Sequence, residues 1–154
     1  MSRIIEFRGW SVEEKKMYKP AFPTWNGGVE VWRDNKPQTT TVGYHSQHGP
    51  EEQMILEQYT GLKDKNGVEI YEGDYIYFED DEYVEAGQTI NTSWISTIKF
   101  EQYAWKCIDS FSGDDMFIED MHNDGIVDGT VIGNIHDTPE VIGNIHEGVK
   151  SETT

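Results

Sequence analysis

The sequence predicts a mainly β protein, an N-terminal β-rich meander followed by a small β-barrel. Short runs of β-branched and aromatic residues alternate with polar ones, clusters of Gly, Pro and Asn interrupt them, and no stretch sustains a helical period. The 154 residues are enough for one ordinary domain with its own core, or for two very small units. The organisation expected is a β-rich section over residues 1–57, the barrel over 58–140 and a tail over 141–154.

In the first section Ile4, Glu6 and Arg8 alternate with Ile5, Phe7 and Gly9. Further β-prone runs at 16–18 and 29–32 are divided by Pro20, Pro23 and Asn26-Gly27-Gly28, which gives a meander. Residues 35–50 have no apolar period and predict a long loop. Residues 51–59 fit either a turn or two of helix or a strand, with a strand favoured at their end.

The barrel begins with the block YTGLKDKNGVEIYEGD at 59–74. Within it, Asn66-Gly67 stands between strand-like residues, and this dipeptide suits the two positive-φ positions of a type I′ hairpin turn. Gly73-Asp74 then leads into 75–78, where Ile76 and Phe78 share one face and Tyr75 and Tyr77 the other. Further strands are expected at 94–100, 104–108, 116–118 and 130–135. Five short strands with tight connections suggest a small barrel, with 79–85 and 91–93 as a protruding loop. The hexapeptide VIGNIH occurs at 131–136 and again at 141–146. A ten-residue period in two copies is too short and too few for a solenoid, so it reads as a local duplication whose first copy is the closing strand.

Charge is unevenly placed. Up to Asp74 there are 9 Lys and Arg against 12 Asp and Glu; from Tyr75 onward there are 3 against 17, within a net charge of -17. Such a surface repels phosphate backbones, so no direct nucleic-acid binding is expected. Apolar runs are too short to cross a bilayer, and an acid at Glu6 interrupts any signal-peptide core, so no membrane association and a cytoplasmic location are expected. Cys107, the only cysteine, excludes an intrachain disulfide and a thiolate-built zinc site.

The block at 59–74, the opening at 5–10 and the closing VIGNIHDTPE at 131–140 resemble the YopX-like family of phage and prophage proteins. That resemblance implies an SH3-like β-barrel in the C-terminal part, a phage or prophage origin in a bacterial host, and no catalytic residue to carry over. The second VIGNIH lies beyond the place where the family pattern ends.

The residues themselves offer little chemistry. His45 and His48 lie three apart in a loop and His122 sits among acids, which falls short of a coordination set. The run 120–125 has the acids and the glycine of a calcium loop, but Val131 occupies the place of its bidentate Glu. No GxSxG context surrounds a serine, Cys107 lies in a strand, and the pairs Asp80-Asp81 and Asp114-Asp115 carry no information in so acidic a chain. Gly125, Gly129 and Gly133 recur without a phosphate-loop context and read as turn residues. No catalytic residue, cofactor or metal is therefore expected. The aromatics remain: Tyr71, Tyr75 and Tyr77 on neighbouring strands could line an exposed peptide groove. The function expected is a non-enzymatic interaction module whose partner is a host or phage protein. The alternative is an acidic mimic of nucleic acid that blocks a DNA- or RNA-binding host protein.

Overall fold

Side-chain alternation, rather than helical periodicity, organises the chain. The computed structural model describes residues 5–25, 28–33, 36–40, 54–79, 83–90 and 93–141, and these hold fifteen β-strands and one short 3-10 helix. The protein is mainly β. Two compact units, Met1–Gly61 and Leu62–Thr154, divide within β5 (Met54–Asp64) at Gly61, whose φ is 87°. The boundary expected at 57/58 falls in the same strand.

The first unit is an antiparallel ladder in the order β5, β1 (Phe7–Ser11), β2 (Lys16–Pro23), β3 (Val29–Arg33) and β4 (Lys36–Thr40). Pro20 does not divide two strands as expected. It lies inside β2 at a bulge, where the register passes from Phe7↔Ala21 to Gly9↔Tyr18, and a bulge tolerates a residue with no N–H to donate. Ala21, Val29, Val31 and Met54 form the core, with Phe7, Tyr18 and Leu56 against it. Gly9 makes that closeness possible, because a Cβ there would lie 2.8 Å from Met54 Sδ. Arg8 Nε donates to Glu57 Oε2 at 2.7 Å, which pairs the buried Glu57 carboxylate. The expected loop at 35–50 opens with β4, and its remainder, with His45 and His48, lies outside the described residues.

In the second unit the five strands expected from the sequence form one antiparallel sheet, ordered β12 (Asp115–Phe117), β11 (Ala104–Asp109), β10 (Ser93–Glu101), β7 (Asp74–Glu79) and β15 (Thr130–Asn134). The order ends at β12 and β15, which do not pair with each other, so the sheet is open; its strand set is compatible with the small barrel expected. Ile76, Phe78, Ile98, Trp105 and Cys107 point to the core, which Ile70, Ile118 and Val127 complete. Phe78 stacks on Trp94 with ring centroids 5.1 Å apart, as their opposed register positions allow. The protruding loop expected from 79–85 and 91–93 contains a hairpin instead, β8 (Tyr83–Glu85) and β9 (Gln88–Ile90), turned at Ala86-Gly87.

The hairpin at the head of the unit differs from the expected type I′ turn. Only Gly67 has positive φ (83°), and its N–H donates to Asp64 C=O at 3.0 Å, so the loop spans three residues with glycine in the left-handed position. The reason is Asp64. Its carboxylate is fully buried, and Oδ1 accepts the N–H groups of Asn66 (2.8 Å) and Val68 (2.9 Å), fixing the loop from inside. Oδ2 accepts Val131 N–H at 2.9 Å, which ties the head of the block to β15. Asp74 repeats the device ten residues later: Oδ2 accepts Tyr71 N–H at 2.8 Å and Oδ1 accepts Asn134 Nδ2 at 3.3 Å. Between the two acids, β6 (Glu69–Tyr71) pairs with β5.

The closing strand is the first copy of the repeat. Gly129 lies in the bend that leads into it, its N–H donating to Val127 C=O at 2.9 Å, whereas Gly133 is not a turn residue. Gly129 is buried where a Cβ would come within 2.6 Å of Ile76 Cγ2, and Gly133 lies in β15 beneath Thr138. Gly125 (φ 80°) also turns the chain, with Asp124 (φ 51°), between β13 (His122–Asn123) and β14 (Ile126–Val127); β14 then runs parallel to Lys63 and Asp64. Of the second copy, residues 142–146 lie outside the described residues.

Asp64→Ala removes a buried acceptor from three backbone donors and should cost about 1–3 kcal/mol, the cost of a buried group left unpaired, since the donors at Asn66 and Val68 belong to exposed turn residues. Asp109 makes a comparable pair of bonds, to Phe111 and Ser112 N–H at 2.8 Å, in an exposed turn, and its alanine variant should cost far less. Equal losses in chemical denaturation would show that burial of the Asp64 carboxylate is not what sets its effect.

Candidate interaction surface

The three tyrosines expected to line a groove are mostly withdrawn from solvent. Tyr71 is 2% and Tyr75 6% exposed, while Tyr77, on the outward side of β7, is half-buried. Tyr71 Oη donates to Glu69 Oε2 at 3.2 Å, and burial together with the Glu140 charge raises the Tyr75 pKa above its ordinary value. Both rings are buried in the fold, and an exposed groove does not run over Tyr71 and Tyr75.

A solvent-facing apolar surface occurs instead in the first unit. Along β3, Val29 and Val31 point to the core, so Glu30 and Trp32 point outward; along β2, Ala21 is buried and Phe22 points outward beside Glu30. Phe22 and Trp32 are therefore diagonal neighbours, each about half exposed, and Trp32 stands opposite the exposed Pro37 on β4. At the bulge, a cavity of about 220 Å³ opens between Ile5, Phe7, Lys19, Pro20 and Phe22. Contiguous apolar surface of this kind marks contact sites, whereas singly exposed apolar residues do not. The signal was present in the sequence: large apolar residues at 22 and 32 occupy the parity opposite to that of Ala21, Val29 and Val31, where a solvated sheet face carries polar residues.

The remaining candidates for chemistry have structural partners. Cys107 is fully buried in β11, and burial pushes its thiol up to about 12. His122 Nδ1 accepts Gly125 N–H at 3.2 Å, within the β13–β14 turn. Lys106, 5% exposed, donates to Asp115 Oδ2 at 2.6 Å and Gln102 Oε1 at 2.9 Å, and its ammonium stands 5.6 Å from the Phe117 ring centroid. The Lys106 hydrogen bond and charge hold the Asp115 carboxyl below its usual range. Among the described residues, no three His, Cys, Asp or Glu side chains gather as a metal site, and no helix is long and apolar enough to cross a membrane.

Two measurements check these assignments. Cys107 should resist a thiol reagent such as dithionitrobenzoate in the native protein and react at once in denaturant, because the thiolate is the nucleophile; fast native labelling would contradict its burial. Asp115 has a depressed folded pKa, so the stability it contributes is present above its unfolded pKa and is lost as pH falls through the folded value. Asp115→Asn should flatten that part of the melting-temperature profile at acid pH, and an unaltered profile would show that the Lys106 pair is energetically silent.

With this geometry in hand, comparison with known proteins gives three findings. A family model described as "YopX protein" matches residues 6–150. Among solved structures the chain is similar to the crystal structure of protein EF1440 from Enterococcus faecalis, with 26% sequence identity, a TM-score of 0.56, and coverage of 92% of this chain and 99% of that one. No curated protein matches it.

Proposed function

The chain belongs to the YopX family, and from that premise we propose that it is a non-enzymatic protein-interaction module, encoded by a phage or prophage and working in the bacterial cytoplasm. The observation that supports this is the outward apolar face of the first unit, where Phe22, Trp32 and Pro37 adjoin beside the cavity at the bulge. Among the described residues, the core cluster of that unit includes neither Phe22 nor Trp32. Large side chains kept at a solvated face are an anchor for a partner, and aromatics are the residues that most often supply such anchors.

A second reading draws on one observation, the 29 acids against 12 bases. It makes the protein a mimic of nucleic-acid charge that blocks a DNA- or RNA-binding host protein. Salt separates the two. A charge mimic weakens steeply with ionic strength, while an apolar contact depends on it only slightly.

The test is capture of partners by the tagged full chain from a lysogenic host at two salt concentrations, with Trp32→Ala alongside. A specific partner retained at high salt by the native chain and lost by the variant is the expected result. The variant's melting temperature should stay close to the parent's, as surface changes usually alter stability by about 0.5 kcal/mol or less. Capture that vanishes at high salt would favour the charge mimic, and undiminished capture by the variant would remove this face from the site.

A further inference from the structure

The outward face of the first unit holds one charge between its two aromatic residues. In the β2–β3 ladder Phe22 stands directly opposite Glu30, and Trp32 follows Glu30 by two positions, so the three side chains share a face. Phe22 is 47% and Trp32 49% exposed, while the Glu30 between them is half-buried. Among the described residues, none pairs with the Glu30 carboxylate by hydrogen bond or ion pair. A partner that covered this face with apolar groups alone would bury that carboxylate without a donor, which is costly. Whatever docks here must therefore bring a cation to the centre of its contact.

The spacing of the rings selects which cation. Diagonal neighbours on an antiparallel pair lie roughly 7–8 Å apart, about twice the ~3.5–4.0 Å between touching carbon atoms, so one flat group fits between two rings so placed. A guanidinium is flat and an ammonium is not. The guanidinium also stacks on aromatic faces, is the more weakly hydrated of the two, and meets a carboxylate through two parallel N–H donors. The unit's own bases are placed elsewhere. Lys19 lies at the cavity with Glu6, Arg8 is bound to Glu57, and Arg33 and Lys36 form the end pair of the β3–β4 ladder, one step beyond Trp32 and Pro37.

We propose that Phe22, Glu30 and Trp32 form the anchor site for an arginine of a partner protein, its guanidinium lying between the two rings and paired with the Glu30 carboxylate. This rests on the interaction-module reading and adds to it the chemical group that the partner presents.

The test is titration of the full chain with N-acetyl-arginine methylamide and with its lysine and leucine counterparts, following the NMR signals of the Trp32 indole and the Glu30 amide. The arginine probe should shift both signals and bind more tightly than the other two. Glu30→Gln should weaken its binding about two- to five-fold, the range of one exposed ion pair. Trp32→Ala should cost about as much through the lost cation–π contact. Both variants should melt close to the parent. Arginine bound no better than lysine, an unshifted Trp32 signal, or equal binding by Glu30→Gln would each overturn the proposal. Capture of a native partner separates it from the broader reading: a partner kept by Glu30→Gln but lost by Trp32→Ala overturns the arginine anchor and leaves the face in place, whereas one kept by both variants removes the face itself.

Discussion

Two carboxylates placed inside the protein, those of Asp64 and Asp74, constrain everything around them. A buried carboxylate is costly unless donors surround it, and here the donors are backbone N–H groups and one side-chain amide. Each acid bonds first to its own turn and then across to the closing strand, at Val131 and at Asn134. A hairpin and a strand some sixty residues later are thus fixed in one register by the same two side chains. The spacing of the block at 59–74 and the residues of the closing segment are two halves of one hydrogen-bonding arrangement. Asn134 extends it, accepting His136 N–H at Oδ1 while its own N–H donates to Thr138 Oγ1, each at 2.8 Å.

Alternation made much of the fold legible. The parity that sends Ile76 and Phe78 to one face of the strand and Tyr75 and Tyr77 to the other was readable from four letters, and all five strands of the second sheet lay where β-branched and aromatic runs placed them. What escaped was anything set by contact rather than pattern. Asn66-Gly67 invites a type I′ turn, but a side chain two positions earlier captures the loop's N–H groups and leaves only Gly67 left-handed. Pro20 reads as a strand breaker until a bulge gives its missing N–H a harmless position. Gly133 looked like punctuation because sequence does not reveal that Thr138 lies against it, and Gly129, which does sit in a bend, is held to glycine by Ile76 as well.

The candidate surface was less legible for a related reason. Tyr71, Tyr75 and Tyr77 were expected to line an exposed groove, but Tyr71 and Tyr75 bury their rings, and Tyr71 satisfies its hydroxyl on Glu69. Phe22 and Trp32, more apolar, stand outside because strand parity is inflexible: once Ala21, Val29 and Val31 face the core, their neighbours cannot. Placement on a sheet follows register first and side-chain polarity second. An apolar residue on the wrong parity is therefore more informative about contacts than an aromatic residue as such.

Gly129 also bears on the duplicated hexapeptide. The six residues are identical in both copies, so nothing within them distinguishes one from the other. The flanks do. Before the first copy stands Gly129, where any Cβ would strike Ile76 and Phe78, and after it stands Thr138, which caps Asn134. The corresponding positions of the second copy are Pro139 and Gly148, one too bulky for the space beside Ile76 and the other lacking a hydroxyl. A duplication that repeats a strand without its neighbours reproduces the ladder-forming residues but not the address that tells the sheet which copy to use.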